Sequence, residues 1–448
     1  MHSHNANIKK YYFVSCVHKN VLPRRERNML QISFIRRNKE KILLGLEKRN
    51  FHKLYLINEI LILDEKKKII QNILNKKLEK ENLISKKIGK ILSLHNNDYQ
   101  IQSLKEKSVF LKKERKSVNI RLEKISEILK KKLNQIPNVP DEKVKKDSND
   151  LLLQEGEIHS SIVDPLPHWE LSKKFCLFDS NLGTKICGSG FSVYMGKGAK
   201  LQRSLIQYFL DQNIQASYKE YNLPYLINEK SGYATGQIPD KENQMYFIEK
   251  DNFYLIPTGE VPIMNCYRDK IFTDLDLPIK ATTYTSCFRR EAGSYGSKVR
   301  GLNRLHQFDK VEIIQITTQN SSSFSLNEMI LHVKSILKSL NLPFRLVRLS
   351  GSDLGFSSSI TYDFEVYSIA QKKWLEVSSI SNCTNFQSNR LHLRYKTITG
   401  NIELCHTLNG SALALPRIMA ALLENNQTKN QINIPKVLVP YTKFDHIK

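Results

Sequence analysis

Cys287-Phe288-Arg289-Arg290-Glu291, continued across a Gly/Ser loop into Arg300-Gly301-Leu302-Asn303-Arg304-Leu305-His306-Gln307-Phe308-Asp309-Lys310-Val311-Glu312, sets acids and arginines into runs that otherwise alternate apolar and polar. Alternation with period two marks β-strands, and it predicts strands over Thr282 to Phe288 and Lys310 to Ile316. Arg289, Glu291 and Glu312 lie in or beside these runs, and Glu260 and Glu376 occupy similar settings elsewhere. Charge there is costly to bury unless it is paired or liganded. For any one of the five, an ordinary salt bridge or a solvent-facing position would suffice. Together they point to a site made of fixed charges on a sheet.

Outward from this stretch the same texture persists. Phe253 to Ile256, Thr361 to Tyr367 and Trp374 to Ser379 read as further strands, while Lys200 to Asn213, Leu326 to Leu340 and Ala414 to Asn425 read as helices. From about residue 170 the chain is therefore expected to form a mostly antiparallel sheet flanked by helices, in an α+β fold. No internal repeat is present.

The N-terminal third differs. Residues 1–150 carry 36 Lys/Arg against 17 Asp/Glu, whereas residues 151–448 carry 33 against 27, so most of the net charge of +25 sits in the first third. Part of that lysine excess matches the bias of an AT-rich genome, but a concentrated positive field favours encounter with a polyanion whatever its origin. No proline lies between Pro23 and Pro137. Ile60, Leu63, Ile70, Leu74, Ile84, Ile88 and Ile91, and then Leu104, Leu111, Val118, Leu122, Ile125 and Leu129, recur at sums of 3 and 4, the spacing of a coiled-coil seam. The break at His95-Asn96-Asn97-Asp98 is short enough only for an antiparallel helical hairpin, an arm roughly 50 to 60 Å long. Its lysine-rich flanks suit a large acidic partner; a dimerisation or spacer coil is the plainer alternative. Ile136-Pro137-Asn138-Val139-Pro140 reads as an extended linker, and Asp141 to Ile158 as polar and irregular.

A length of 448 residues suggests two or three domains. Seven scattered cysteines without a CxxC pair argue against a disulfide scaffold or zinc ribbon and suit a reducing compartment. No apolar run is long enough for a membrane helix. Residues 1–28 are basic, with Glu26 as their one acid, and read either as an upstream extension before Met29 or as an organellar import segment; a cytoplasmic location is expected. P-loop, GxGxxG, HExxH and GxSxG patterns are missing, which leaves P-loop, Rossmann, zincin and hydrolase readings without support.

The opening stretch resembles motif 2 of the class II aminoacyl-tRNA synthetases, and in detail that of the seryl enzymes. The likeness continues through Pro257-Thr258-Gly259-Glu260-Val261-Pro262, Tyr295-Gly296, Glu376-Val377-Ser378-Ser379, Ser381-Asn382-Cys383 and His406-Thr407-Leu408-Asn409-Gly410-Ser411, the last leading into a motif 3 that ends at Arg417. Motif 1 is looser, around Pro224. The series runs in order from about Met29 to the C-terminus.

The resemblance implies a six-stranded antiparallel catalytic sheet and the joining of L-serine to tRNA(Ser) through a seryl-adenylate, with ATP as substrate, Mg²⁺ as cofactor and tRNA(Sec) as a further candidate partner. Arg289, Glu376 and Arg417 would be the catalytic groups. Arg289 would grip the α-phosphate and the serine carboxylate with its planar fork, and Arg304 and Arg417 would meet the γ-phosphate. Glu291 would read the adenine amino group, and Phe308 would stack on the ring, with Leu305 and Arg290 lining the same ATP site. Glu376 and Ser379 would hold Mg²⁺ as hard oxygen ligands, with Val377 and Ser378 between them on the strand. Thr258, Gly259, Glu260, Glu312, Asn409 and Ser411, with Arg289, would form the serine pocket. A pocket that satisfies the serine hydroxyl rejects alanine without a separate editing site.

Gly259, where many relatives have alanine, and Pro416 are small departures near backbone contacts. The implied organisation is an extension over 1–28, a tRNA-binding domain over 29–140 with its arm at about 51–134, a linker over 141–169 and a catalytic domain over 170–448, in a homodimer formed through motif 1. The rival from another class is a non-catalytic RNA-binding paralogue; a coiled-coil scaffold is a third reading.

Overall fold

The computed structural model describes residues 32–93, 98–158, 164–240, 242–292 and 300–448. The segment 1–28, most of the His95–Asp98 turn and the Tyr295-Gly296 pair lie outside them.

Two short helices, α1 (Ile32–Arg37) and α2 (Lys39–Lys48), precede the hairpin of α3 (Tyr55–Ser93) and α4 (Asp98–Leu133). The seam read from the sequence faces inward: Ile60, Leu74 and Leu129 are buried, and Leu63, Ile70, Ile84 and Leu111 are half-buried. Ion pairs cross the seam from Lys77 to Glu114 (2.8 Å), Arg115 to Glu81 (3.1 Å) and Lys132 to Glu59 (2.7 Å). Exposed pairs contribute little each, so stability concentrates at the base, where Leu56, Ile57, Ile60, Leu129 and Leu133 pack with Ile35, Ile42 and Leu46 of α1 and α2.

The linker after α4 is stitched to the body. Asn138 is 3% exposed, its backbone N–H donates to Phe356 O (3.0 Å), and its Nδ2 donates to Ser357 O and Cys383 O (both 2.9 Å). The buried Arg49 guanidinium donates to the carbonyls of Leu354 (3.0 Å), Gly355 (3.1 Å) and Ser358.

The body is built on one sheet of eight strands: β1 (Asp150–Glu155), β2 (Lys219–Tyr221), β3 (Ile279–Phe288), β4 (Gln307–Thr317), β5 (Phe344–Arg348), β6 (Ile360–Ser368), β7 (Lys373–Thr384) and β8 (His406–Ala414), in the order β1-β5-β6-β7-β8-β4-β3-β2. Six of them, β5 through β3, form the expected antiparallel platform. Two edge strands extend it, β1 antiparallel to β5 and β2 parallel to β3. β1 corrects the reading of Asp141 to Ile158 as irregular. Its register shifts between Leu151 and Leu153, which breaks the alternation that would have revealed it. Asp150 pairs with Arg348 (2.6 Å), and Glu155 with Lys334 (2.6 Å) and Lys338 (2.8 Å), so a polar edge strand is held by ion pairs.

Helices α5 (Gly196–Gln215), α8 (Ser322–Ser339) and α10 (Leu415–Asn425) cover one face, burying Leu205, Phe209, Val333, Leu337, Met419 and Leu422 with Val311, Ile313, Phe364 and Val377. The other face is covered only in part, by the short helices α6 (Glu229–Thr235), α7 (Glu260–Asn265) and α9 (Phe386–Leu391), next to Ala281, Ile314 and Ile316. Phe308, Lys310 and Glu312 share that half-open face with Ile314, since side chains two apart on a strand point the same way.

Candidate active site

β3 and β4 pair in register, Thr283 opposite Glu312, Thr285 opposite Lys310 and Cys287 opposite Phe308. Over this row passes the Pro257–Glu260 segment that opens α7. Gly259 comes so close that a Cβ there would lie 2.9 Å from Thr283 Cγ2 and 3.1 Å from Thr285 Oγ1, which gives this chain's glycine a steric reason. The Thr258 hydroxyl donates to Glu312 Oε2 (3.0 Å) and accepts from Lys310 Nζ (2.8 Å), and Lys310 also pairs with Glu312. Glu260 Oε1 accepts from Gln387 Nε2 (2.6 Å) and Asn409 Nδ2 (2.8 Å). Burial, followed by the charge of Glu312, pushes the Glu260 carboxyl up to about 7. Thr258, Gly259, Glu260, Glu312 and Asn409 thus meet in one place. Ser411 lies opposite Glu312 in the β4–β8 pairing and accepts from Ser378 Oγ through its carbonyl (2.5 Å).

Arg289 follows β3 directly. Its Nε donates to Pro257 O (3.2 Å) and its guanidinium lies 5.2 Å from the Phe308 ring centre, between the polar pocket and the aromatic surface. Beyond it Glu291, at φ +48°, takes the left-handed conformation unusual for a non-glycine residue and leaves the strand. Glu291 Oε2 is paired with Arg304 Nη1 (2.8 Å). Two residues assigned by resemblance to opposite ends of a nucleotide are therefore partners here. The Arg290 guanidinium turns toward the Tyr246 ring (5.9 Å), and the Leu305 side chain is buried in the core.

A bulge sets the third part. Ser378 pairs with Phe364 but Glu376 with Glu365, so Val377 is the additional residue. In a regular strand Glu376 and Ser379, three apart, would face opposite ways; the bulge returns both to the half-open face. Val377 turns into the core and Ser378 bonds to β8, which leaves only their backbone for a ligand on that face. Asp363 lies opposite Ser379; its carboxyl is raised to about 8 by burial and by the nearby Glu376, and its Oδ1 is buried without a hydrogen-bond partner. Arg417, near the start of α10, donates from Nη1 to Glu376 O (2.8 Å), lies 3.4 Å from Glu376 Oε2, and donates from Nε to Asn303 O (3.2 Å).

Sequence reasoning missed Lys310, Gln387 and Asp363. Lys310 had a signal, its position two residues from Glu312 on one strand face. Gln387 had none, because its role comes from α9 packing on α6, where its Nε2 donates both to Thr235 O (3.1 Å) and to Glu260 Oε1.

Residues 29–140 match the model of the seryl-tRNA synthetase N-terminal domain, and residues 246–426 that of the tRNA synthetase class II core domain (G, H, P, S and T). The serine–tRNA ligase of Salinibacter ruber is 40% identical over 94% of this chain and 99% of its own. The chain belongs to the seryl-tRNA synthetases. The serine–tRNA ligase of Methylacidiphilum infernorum is 42% identical over 94% of this chain and all of its own. Among solved structures, the seryl-tRNA synthetase of Pyrococcus horikoshii complexed with ATP matches with a TM-score of 0.84 at 29% identity, covering 93% of this chain and 99% of that one. A second, the cytoplasmic serine–tRNA ligase of Naegleria fowleri in complex with AMP, gives 0.81 at 25% identity, covering 94% and 99%. A seryl-tRNA synthetase is thus what the helical arm and the eight-stranded sheet compose. No helix among the described residues is long and apolar enough to cross a membrane.

Proposed function

We propose that this synthetase joins L-serine to tRNA(Ser) in two steps: serine and ATP give seryl-adenylate and pyrophosphate, and the terminal ribose hydroxyl of the tRNA then attacks the activated carbonyl. The observation that carries the reading is Arg289, held by Pro257 O on the side of the polar pocket and packed over Phe308 on the other. A guanidinium fork in that position can hold an amino-acid carboxylate and an α-phosphate together, fixing the attacking oxygen in line with phosphorus. Glu260, Glu312, Thr258 and Asn409 then receive the ammonium and hydroxyl groups, with Ser411 closing the far side. Phe308 stacks on adenine and Glu291 accepts from its amino group, while Arg304 and Arg417 neutralise the outer phosphates. Catalysis is positioning and charge neutralisation, and no side chain acts as nucleophile.

The Glu376 carboxylate, the Ser379 hydroxyl and the unpartnered Asp363 Oδ1 form a hard-oxygen set that fits Mg²⁺. Among the described residues no group of three or more His, Cys, Asp or Glu side chains could hold a metal alone, so phosphate oxygens would complete the set. When bound, the ion would neutralise phosphate charge.

The arm, with its lysine flanks, is the surface for the long variable region of tRNA(Ser), read through shape and backbone; tRNA(Sec) is the second candidate for the same surface. Domain limits of 29–140, 141–169 and 170–448, with β1 of the middle segment added to the edge of the catalytic sheet, a homodimer formed through motif 1, and cytoplasmic residence complete the proposal. Serine-dependent ATP–pyrophosphate exchange tests it. Exchange with serine and not alanine is expected; a pure, folded protein without exchange would favour the non-catalytic RNA-binding reading.

A further inference from the structure

The sequence motifs account for Thr258, Glu260 and Glu312, but not for the cation buried among them. Lys310 and Glu312 lie two residues apart on β4, and their side chains are 8% and 3% exposed. A lysine ammonium has three donors and no acceptor, so its 2.8 Å contact with Thr258 Oγ1 must be lysine donating. The single hydroxyl hydrogen of Thr258 is then committed to Glu312 Oε2, 3.0 Å away. Glu312 thus receives hydrogens from both Thr258 and Lys310, and Thr258 has none left for a substrate.

We propose that Lys310 is a positioning residue that sets serine specificity: by bridging the Thr258 hydroxyl and the Glu312 carboxylate it makes Glu312 a pure hydrogen-bond acceptor, so that the pocket accepts only substrates bringing donors. Serine brings an ammonium and a hydroxyl; alanine leaves an ionised oxygen without its partner. The inference rests on the serine-pocket reading above and adds to it the residue that fixes the polarity of the pocket.

The surrounding charges show what Lys310 prevents. Glu260 faces Glu312 and Lys310 from β4 and Arg289 from the end of β3, with Gln387 of α9 and Asn409 of β8 as neutral donors. The Cys383 thiol of β7 lies close enough to feel the Glu260 charge, and the Cys287 thiol of β3 is buried beside Lys310, Arg289 and Glu312. Without Lys310, Glu312 loses its paired ammonium, and the oxygen of the Thr258 hydroxyl is no longer committed as an acceptor. The Thr258 hydrogen is then free to turn from Glu312 toward a substrate, and the preference of the pocket for a donor-bearing substrate is lost.

The test is ATP–pyrophosphate exchange by full-length wild type, Lys310→Met and Lys310→Arg, with serine and with alanine. For Lys310→Met the expectation is a serine KM raised about tenfold or more while kcat changes less than about threefold. Its ATP KM should stay within about threefold, and its discrimination against alanine should fall about tenfold. Lys310→Arg keeps the charge and the donors and should keep most of the discrimination against alanine. An unchanged serine KM, discrimination against alanine left at the wild-type level, or an equal loss for ATP would overturn the proposal. If Lys310→Met does not fold, Lys310→Met/Glu312→Gln buries no lone charge; it should lose discrimination against alanine while keeping its ATP KM, because an amide both donates and accepts, and wild-type discrimination in that variant would equally overturn the proposal. Wild-type protein with no serine-dependent exchange would remove the serine-pocket reading itself, whatever the variants do.

Discussion

Replacing Glu260 by glutamine keeps the shape of the side chain and an oxygen for the hydrogen bonds from Gln387 and Asn409, but removes a titrating group. Burial and the charge of Glu312 move this carboxyl from its ordinary 4.5 to about 7. An acid whose pKa is raised by folding binds more proton in the folded than in the unfolded chain between those two values. Stability therefore falls as pH rises from 4.5 to about 7 and is unaffected by this group outside that window. The distance from 4.5 to about 7, at about 1.4 kcal/mol per pH unit, amounts to about 3 kcal/mol carried by the wild type at pH 8. Glu260→Gln lacks that burden. Urea denaturation of substrate-free protein should find the two within about 1 kcal/mol at pH 5 and the variant more stable by about 3 kcal/mol at pH 8. The same variant should lose serine-dependent exchange by about 100-fold or more, because a neutral amide cannot pair with an ammonium. A stability difference that does not grow between pH 5 and pH 8, or one that grows in favour of the wild type, would refute the reasoning that desolvation holds Glu260 out of its usual range.

Three further outcomes are expected. Removing residues 71–121 and joining the stumps with a short Gly/Ser turn keeps the packed base of the arm; exchange should stay within about threefold while tRNA charging falls by at least about 100-fold, as measured by serine incorporation. Asn138→Ala leaves the carbonyls of Ser357 and Cys383 without their donor and should cost about 2 to 3 kcal/mol in denaturant unfolding. Chelation of divalent ions should abolish exchange and Mg²⁺ should restore it, whereas Glu376→Gln should require about tenfold more Mg²⁺ for half-maximal rate.

Much of this molecule was legible in its sequence, because its signals are local. The seam from Ile60 to Leu129 repeats often enough to fix the hairpin, and the alternation around Arg289 and Glu312 fixes both strands and the face their charges share. What escaped depended on pairing between distant segments. β1 is an edge strand with a shifted register, so its Leu151-Leu152-Leu153 run shows no period of two. The placement of Glu376 and Ser379 on one face requires a bulge that is defined only by the partner strand. Asp363 belongs to the site through its neighbour in the sheet, and Gln387 through the fold of a six-residue helix.

The stitching of Asn138 and Arg49 to the 354–359 loop gives the arm the mechanics of a lever with its fulcrum on the body. The 39 residues of α3 extend about 58 Å, so each degree of rotation at the pivot sweeps the tip through about 1 Å. A change of one small side chain in that loop can thus decide where an RNA held at the tip would deliver its other end.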